Sequence, residues 1–303
     1  MQFSELGLSA ELLRAIGEQG YTTPTPVQQQ AIPHILAGRD LEALAQTGTG
    51  KTAAFVLPIL QRLTNPLTSP LQKVTHTAPR VLVLVPTREL AAQVLESVRV
   101  YGAHTGLRSL AVFGGVGINP QIQTLRRGID ILVATPGRLL DHLGQRTVDL
   151  SKVQTLVLDE ADRMFDMGFI RDIRRIIEKL PKVRQNLMFS ATFAAEVREL
   201  AHAVLKDPAM VEVARRNAPA ELVTHTVIKV DQDQKRDLLL HLFAAHGWHQ
   251  VLVFCRTKHG SDALARKLEQ AGIRTAALHG NKSQNARTRA LADFKSGKLA
   301  ALV

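Results

Sequence analysis

Short unbroken apolar runs alternate with stretches whose apolar residues recur every three or four positions. The runs are Val81–Val85, Leu110–Phe113, Ile129–Ala134, Thr155–Leu158 and Asn186–Phe189, rich in Val and Leu. Continuous apolar strands of this kind predict a parallel sheet covered on both faces. Helical spacing fills the intervals over Arg88–Val100, Pro120–Arg127 and Ile170–Leu180. The alternation is that of an α/β domain. Two further helices, Ala10–Glu18 and Val27–Leu36, come first, split by a segment in which Pro24 and Pro26 fix an extended turn and then permit a helix start. Thr64–Pro79 is rich in Pro and Thr, has no period, and predicts a surface loop.

A second series of the same kind follows a polar stretch. Ala214-Arg215-Arg216-Asn217-Ala218-Pro219 predicts an interdomain linker over 211–222, between domains spanning 1–210 and 223–303. Beyond it the pattern predicts strand Val223–Val230, helix Lys235–His246, strand Gln250–Cys255, helix Ser261–Ala271, strand Arg274–Leu278 and helix Ser283–Lys295. A last apolar strand, Leu299–Val303, is expected to lie at an unpaired sheet edge, where exposed apolar surface is an aggregation liability.

The first chemistry to break the apolar pattern is Ala45-Gln46-Thr47-Gly48-Thr49-Gly50-Lys51-Thr52. It has the form of a phosphate-binding loop, with Ala45 where the general pattern has its first glycine. Gly48 and Gly50 let successive N–H groups point inward, and Lys51 brings a mobile charge to the outer phosphates. Thr52 is placed to ligate Mg²⁺, and the helix opening there adds its positive end. A Gly/Thr-rich turn without a ligand would look similar. Strand Thr155–Leu158 runs into Asp159-Glu160-Ala161-Asp162. At a strand end facing a phosphate loop, Asp159 can hold Mg²⁺ and Glu160 can orient or deprotonate a water. An acidic helix start is the alternative, and the pairing with the loop weighs against it.

Composition changes the picture in one respect. The 303 residues are 45% hydrophobic and 21% charged, an ordinary soluble balance. Lys and Arg number 38 against 27 Asp and Glu, a net charge of +11, which points to a polyanionic partner. The one cysteine, Cys255, excludes an internal disulfide framework, fits a reducing compartment, and is expected to be a small buried residue. No apolar run approaches the roughly 20 residues of a membrane span, and the start lacks a secretory pattern, so a cytoplasmic location is expected. His241, His246 and His249 share no helical register that would converge them on a metal.

With these motifs in place, the sequence resembles the DEAD-box RNA helicases, particularly the bacterial RhlE-type branch, from Phe3 to Val303. The resemblance implies two RecA-like domains of the P-loop NTPase class, ATP and Mg²⁺ as cofactors, and ATP-dependent unwinding of short RNA duplexes. RNA-processing or ribosome-assembly proteins are the expected protein partners. Phe3, Gly20, Pro24, Pro26 and Gln28 match the adenine-reading motif. By resemblance Gln28 bonds the adenine edge and Phe3 packs on the ring, although Gln28 also suits an ordinary helix start. Pro86-Thr87-Arg88, Gly114-Gly115 and Thr135-Pro136-Gly137-Arg138 match RNA-contacting motifs. Hydroxyls, arginines and bare glycine backbone are suitable phosphate donors there. Ser190-Ala191-Thr192 matches the motif coupling hydrolysis to strand separation, its hydroxyls expected on Asp159 or Asp162, with a helix cap as the simpler reading. Arg256 and Thr257, with His279-Gly280, Gln284 and Arg287, match RNA-side motifs of the second domain.

Three departures accompany the resemblance. Glu42 stands in the strand feeding the phosphate loop, where the family has an apolar residue, and a buried carboxylate there is costly unless paired. The family's later motifs, including its arginine fingers, have no counterpart up to Val303, so the second domain is expected to be incomplete and hydrolysis by this chain impaired. The basic tail common in the branch has no counterpart either. A non-hydrolysing RNA clamp or scaffold is the rival reading, and a DNA helicase is disfavoured by Gln28 and the Asp159–Asp162 set.

Overall fold

The computed structural model describes residues 1–65, 78–192, 194–213 and 224–303. Residues 66–77 of the predicted surface loop and 214–223 around the predicted linker lie outside the described residues. The chain divides into two compact units, Met1–Arg216 and Asn217–Val303.

In the N-terminal unit the apolar runs become parallel strands: β2 (Val81–Leu84), β3 (Ser109–Val112), β4 (Ile131–Ala134), β5 (Thr155–Asp159) and β6 (Gln185–Ser190). β1 (Leu41–Leu44) and β7 (Ala209–Glu212) complete a sheet ordered β3-β4-β2-β5-β6-β1-β7. Alternate residues explain the unbroken hydrophobicity. Val81, Val83, Ile131, Val133, Val157 and Phe189 enter one core, and Leu82, Leu84, Leu132, Leu156, Leu158 and Met188 enter the other. The first core is capped by α1 (Ala10–Glu18), α2 (Pro26–Leu36), α3 (Lys51–Thr64) and α4 (Arg88–Tyr101). The second is capped by α5 (Ile118–Arg126), α6 (Pro136–Gly144), α7 (Ala161–Asp166), α8 (Ile170–Ile177) and α9 (Ala195–Val204). Each fully buried aliphatic side chain contributes about 1.5–3 kcal/mol.

The amino ends of the strands are tied by two buried carboxylates. Asp40 accepts from Asn186 N (2.7 Å), Asn186 Nδ2 (3.0 Å) and Lys206 N (2.8 Å), joining the starts of β1 and β6 to the α9–β7 turn. Asp130 accepts from Arg80 Nη2 (2.6 Å) and Arg108 N (2.9 Å), fixing β2 and β3 against β4. The resulting register sets the opposite ends level: Leu44 pairs with Ser190, and Phe189 with Asp159.

The C-terminal unit holds α10 (Lys235–His246), α11 (Lys258–Gln270) and α12 (Gln284–Lys295) around a smaller parallel sheet. Its strands, β8 (Val251–Leu252), β9 (Thr275–Ala276) and β10 (Ala301–Leu302), are far shorter than their apolar runs and are ordered β8-β10-β9. Three expectations change here. Residues 224–230 form no strand, and Val227 is 91% exposed. Leu299–Val303 supplies the central strand, not an edge, with Ala301, Leu302 and Val303 all buried. Cys255 is exposed because pairing of β8 stops at Leu252, and Phe254 beside it is 93% exposed. In the N-terminal unit, β7 runs across the expected start of the linker at residue 211 and pairs with β1.

Asp40→Ala orphans three donors near the sheet core, so it should destabilise the N-terminal unit by about 2–4 kcal/mol, read as a lower urea midpoint. An unchanged midpoint would show that the strand ends hold their register without this carboxylate.

Candidate functional site

The sheet order puts the phosphate loop and two strand-end motifs side by side. β5, β6 and β1 are neighbours, so Asp159, Ser190 and the loop after Leu44 emerge next to one another at the carboxyl edge, where open α/β sheets bind ligands. Gly48 and Gly50 adopt φ of +85° and +93°, a left-handed backbone that favours glycine. At Gly50 space forbids a side chain as well: a Cβ would stand 2.5 Å from Gln28 Nε2 and 2.9 Å from Thr25 Oγ1. Thr49 Oγ1 closes the turn on the Gln46 carbonyl at 2.7 Å. Lys51 opens α3 and is buried, and its Nζ has no hydrogen-bond partner. A buried ammonium in that condition is stable only beside an anion.

The protein's own anion nearby is Asp159. It is buried, and its carboxyl is pushed up to about 6, chiefly by burial and against the attraction of Lys51. Its Oδ1 accepts from Glu160 N at 3.0 Å. Glu160 takes φ 53° and ψ 53° as the residue before α7. Its Oε1 lies 3.5 Å from Thr47 Oγ1, at the limit of a hydrogen bond. The donor set fits Mg²⁺ and a polyphosphate, with a carboxylate, the Thr52 hydroxyl and an unsatisfied ammonium around one glycine cradle.

A cavity of about 260 Å³ adjoins the loop, lined by Phe3, Tyr21, Thr25, Gln28, Gly50, Thr52 and Tyr101 among others. Gln28 accepts from Thr25 N (2.9 Å) and donates to the Gly50 carbonyl (3.1 Å). It therefore closes a helix-capping box and braces the phosphate loop, leaving one N–H and one lone pair of its amide. Tyr101, pushed up to about 12 by burial and by Tyr21, forms with that residue a wall the sequence did not single out.

Of the coupling motif, Thr192 reaches Asp162, donating to Oδ2 from N and from Oγ1, both at 3.0 Å. Ser190 Oγ instead accepts from Asp162 N (3.2 Å) and donates to the Thr192 carbonyl (2.6 Å). These hydroxyls thus engage Asp162 and its backbone, and not the Asp159 carboxylate.

The three RNA-type motifs sit on the other half of the edge, after β2, β3 and β4. Thr87 caps α4 through Leu90 N at 3.2 Å, following Pro86. Arg88 lies over Gly114 and Gly115, where a Cβ on Gly115 would collide with the guanidinium. Thr135 precedes α6, with Pro136 and Gly137 in its first turn. Arg138 points inward. Its side chain is 11% exposed, and it donates to Gln121 Oε1 (3.1 Å), the Val116 carbonyl (3.0 Å) and Asp141 Oδ2 (3.3 Å). Gln121 and the fully buried His142, 3.0 Å apart, escaped the sequence reading because polar residues in a helix carry no positional signal.

In the C-terminal unit Thr257 caps α11 through Gly260 N at 3.0 Å, and Arg256 beside it is exposed. Gln284 begins α12 and is buried, with Arg287 one turn on. His279 and Lys282 both meet Asp262, at 3.1 and 2.8 Å, and together hold its carboxyl down at about 2.

Glu42 lies apart from the phosphate loop. It faces a cavity of about 670 Å³ between α9 and the exposed face of β1 and β7, alongside Arg198, His202 and Met210. Burial raises its carboxyl while His202 and Arg198 oppose the shift.

Residues 25–200 match the family model described as DEAD/DEAH box helicase, and 234–303 match the helicase conserved C-terminal domain. The chain is 41% identical over 303 residues to the DEAD-box ATP-dependent RNA helicase CshA of Streptococcus pneumoniae, covering 100% of this chain and 56% of that protein. It is 40% identical over 302 residues to the ATP-dependent RNA helicase DeaD of Escherichia coli, covering 99% of this chain and 47% of that one. The chain therefore spans about half the length of these curated relatives. Among solved structures it resembles yeast Dbp5 bound to Gle1 and IP6 (TM-score 0.73, 32% identity, 99% of this chain and 73% of that one). It also resembles a DEAD box protein from Methanococcus jannaschii (TM-score 0.64, 34% identity, 100% of this chain and 79% of that one).

The Asp159 environment has a consequence for the ligand-free protein. A carboxyl raised in the folded state stabilises the fold at low pH, and that stabilisation is lost as pH rises through about 6. Asp159→Asn removes this pH dependence, so its stability relative to the parent should rise by about 2–3 kcal/mol from about pH 4 to pH 8, on top of a constant cost of leaving Lys51 without its anion. Thermal unfolding across that range checks it, and a difference independent of pH would contradict the origin in burial.

Proposed function

This chain belongs to the DEAD-box family of ATP-dependent RNA helicases, and on that premise we propose that it binds ATP with Mg²⁺, binds RNA, and couples the two to separate short RNA duplexes. The observation that carries the reading is the buried ammonium of Lys51, without a hydrogen-bond partner, beside the buried carboxylate of Asp159.

Lys51 neutralises the outer phosphates, and the backbone N–H groups from Thr47 to Thr52 hold the inner ones. Thr52 and Asp159 would hold Mg²⁺, which when bound neutralises charge on the phosphates. Glu160 accepts the proton of the attacking water. Gln28, with one N–H and one lone pair uncommitted, reads the adenine edge while Phe3 and the tyrosines close the cavity. Asp162, Ser190 and Thr192 transmit the state of the β5 end to the β6 end. Thr87, Arg88, Gly114, Gly115 and the start of α6 meet RNA phosphates, as do Arg256, Thr257, Gln284 and Arg287, so sequence matters little. A domain division within the expected linker but after β7, the RhlE-type branch and a cytoplasmic location belong to the same proposal and rest on the sequence. Among the described residues no helix is long and apolar enough to cross a membrane. Proteins of RNA processing or ribosome assembly are the partners this activity suits.

Calorimetry should show ADP bound in preference to GDP, with Lys51→Ala losing most of the binding because the phosphate charge is deleted. Equal affinities for the two nucleotides would sink the adenine assignment. In an RNA-stimulated phosphate-release assay on a longer form carrying the family's later motifs, Glu160→Gln should fall to background while ADP affinity stays within about threefold. Turnover matching the unsubstituted protein would remove Glu160 from its role.

A further inference from the structure

Arg138 occupies an RNA-type motif, yet its guanidinium is spent inside the protein. What it holds is the backbone after β3: Nη2 donates to the Val116 carbonyl, beside Gly114 and Gly115. Gln121 is the hub of this bracing. Its Oε1 accepts from Arg138 Nη1 (3.1 Å) and lies 3.0 Å from His142 Nε2, while its Nε2 donates to the Phe113 carbonyl (3.1 Å). One buried amide thus ties both ends of the Phe113–Val116 turn to α6, directly at Phe113 and through Arg138 at Val116. A proton on His142 Nε2 suits Gln121 Oε1 as an acceptor, and the Thr147 hydroxyl stands 2.8 Å from Nδ1 and 3.1 Å from the His142 carbonyl, so it closes the far side of the ring. Burial and the Arg138 charge both depress the imidazole's proton affinity, in keeping with a neutral ring.

We propose that Gln121 is a positioning residue for RNA binding, fixing Arg138 and through it the Gly114–Val116 turn against the start of α6. The inference rests on the reading of these turns as an RNA face. Buried polar networks of this kind fix one geometry when every member is satisfied, and lose it when one is removed. Two adjacent phosphate-binding turns act together only if their spacing is fixed, which neither turn does alone.

The test is a double-mutant cycle on the described chain with a labelled single-stranded RNA, at fixed low salt and saturating non-hydrolysable ATP analogue. Gln121→Met and Arg138→Ala should each weaken RNA binding by about tenfold, and the double variant no more than about twofold beyond the weaker-binding single, because both remove one device. ADP affinity, which reports a cavity built from other elements, should stay within about twofold. Gln121→Glu keeps the acceptor for Arg138 and His142 but turns an oxygen toward the Phe113 carbonyl in place of the donor, so it should bind RNA more tightly than Gln121→Met through the Arg138 arm alone. If Gln121→Met loses ADP binding too, the comparison of Gln121→Glu with Arg138→Ala decides: binding as weak as Arg138→Ala overturns the proposal, and tighter binding supports it. Effects that multiply, or Gln121→Met binding RNA like the parent, also overturn it. Arg88→Ala separates the two levels: if it too leaves RNA binding unchanged, the RNA face itself is wrong, whereas loss there with no loss at Gln121 removes only the positioning role.

Discussion

A lysine ammonium kept from water without a hydrogen-bond partner is an uncomfortable thing to build, and the N-terminal unit is arranged around it. Asp159 stands near Lys51 because β5, β6 and β1 are adjacent and level. Burial raises the Asp159 carboxyl, and the attraction of Lys51 only partly offsets that. The arrangement is thus incomplete electrostatically, with excess demand for an anion at the loop and for a cation at the carboxylate. The metal–polyphosphate proposed as the ligand would supply both together.

The same sheet order sorts the motifs into two halves. β5, β6 and β1 carry the residues proposed for the nucleotide and for coupling, and β3, β4 and β2 carry the turns proposed for RNA. β2 and β5 are neighbours, so the two groups meet along a single strand boundary about 5 Å wide. Asp40 and Asp130, one in each half, fix the far ends of these strands. A slip of register at either would move a motif to the wrong level, since each residue of slip also reverses the face that a side chain meets.

Much of this was legible because buried parallel strands advertise themselves. Val81–Val85 and Ile129–Ala134 could hardly be anything else, and the loop from Ala45 to Thr52 carries its chemistry in its residue types. β7 was hidden because only one face of Ala209-Met210-Val211-Glu212 is covered, and Met210 is 67% exposed. Its alternation over four residues, next to a polar stretch, looked like the start of a linker. The C-terminal unit was harder, since strands of two residues owe their existence to pairing with β10 more than to their own sequence. Gln28 was read for its chemistry, while its structural work, capping α2 and bracing Gly50, depends on a contact 22 positions away. Arg138 shows the reverse error of emphasis. A motif identifies a residue without saying whether it points at the ligand or holds what does.

Glu160 carries the last constraint. A non-glycine residue at φ 53° sits in a conformation that costs on the order of 1 kcal/mol or more, so the surroundings must impose it. Two of them are visible. Asp159 accepts the Glu160 N–H, and the Glu160 carbonyl begins α7 by accepting from Met164 N at 3.0 Å. Bending the chain left-handed between a buried strand end and a helix start turns the Glu160 side chain toward Thr47 of the phosphate loop instead of along the strand. Asp162 follows two residues later in the first turn of α7, already bonded to Thr192. The direction of the Glu160 side chain and the link from Asp162 to β6 are therefore consecutive consequences of one strained residue. A relaxed backbone at Glu160 would misplace both at once.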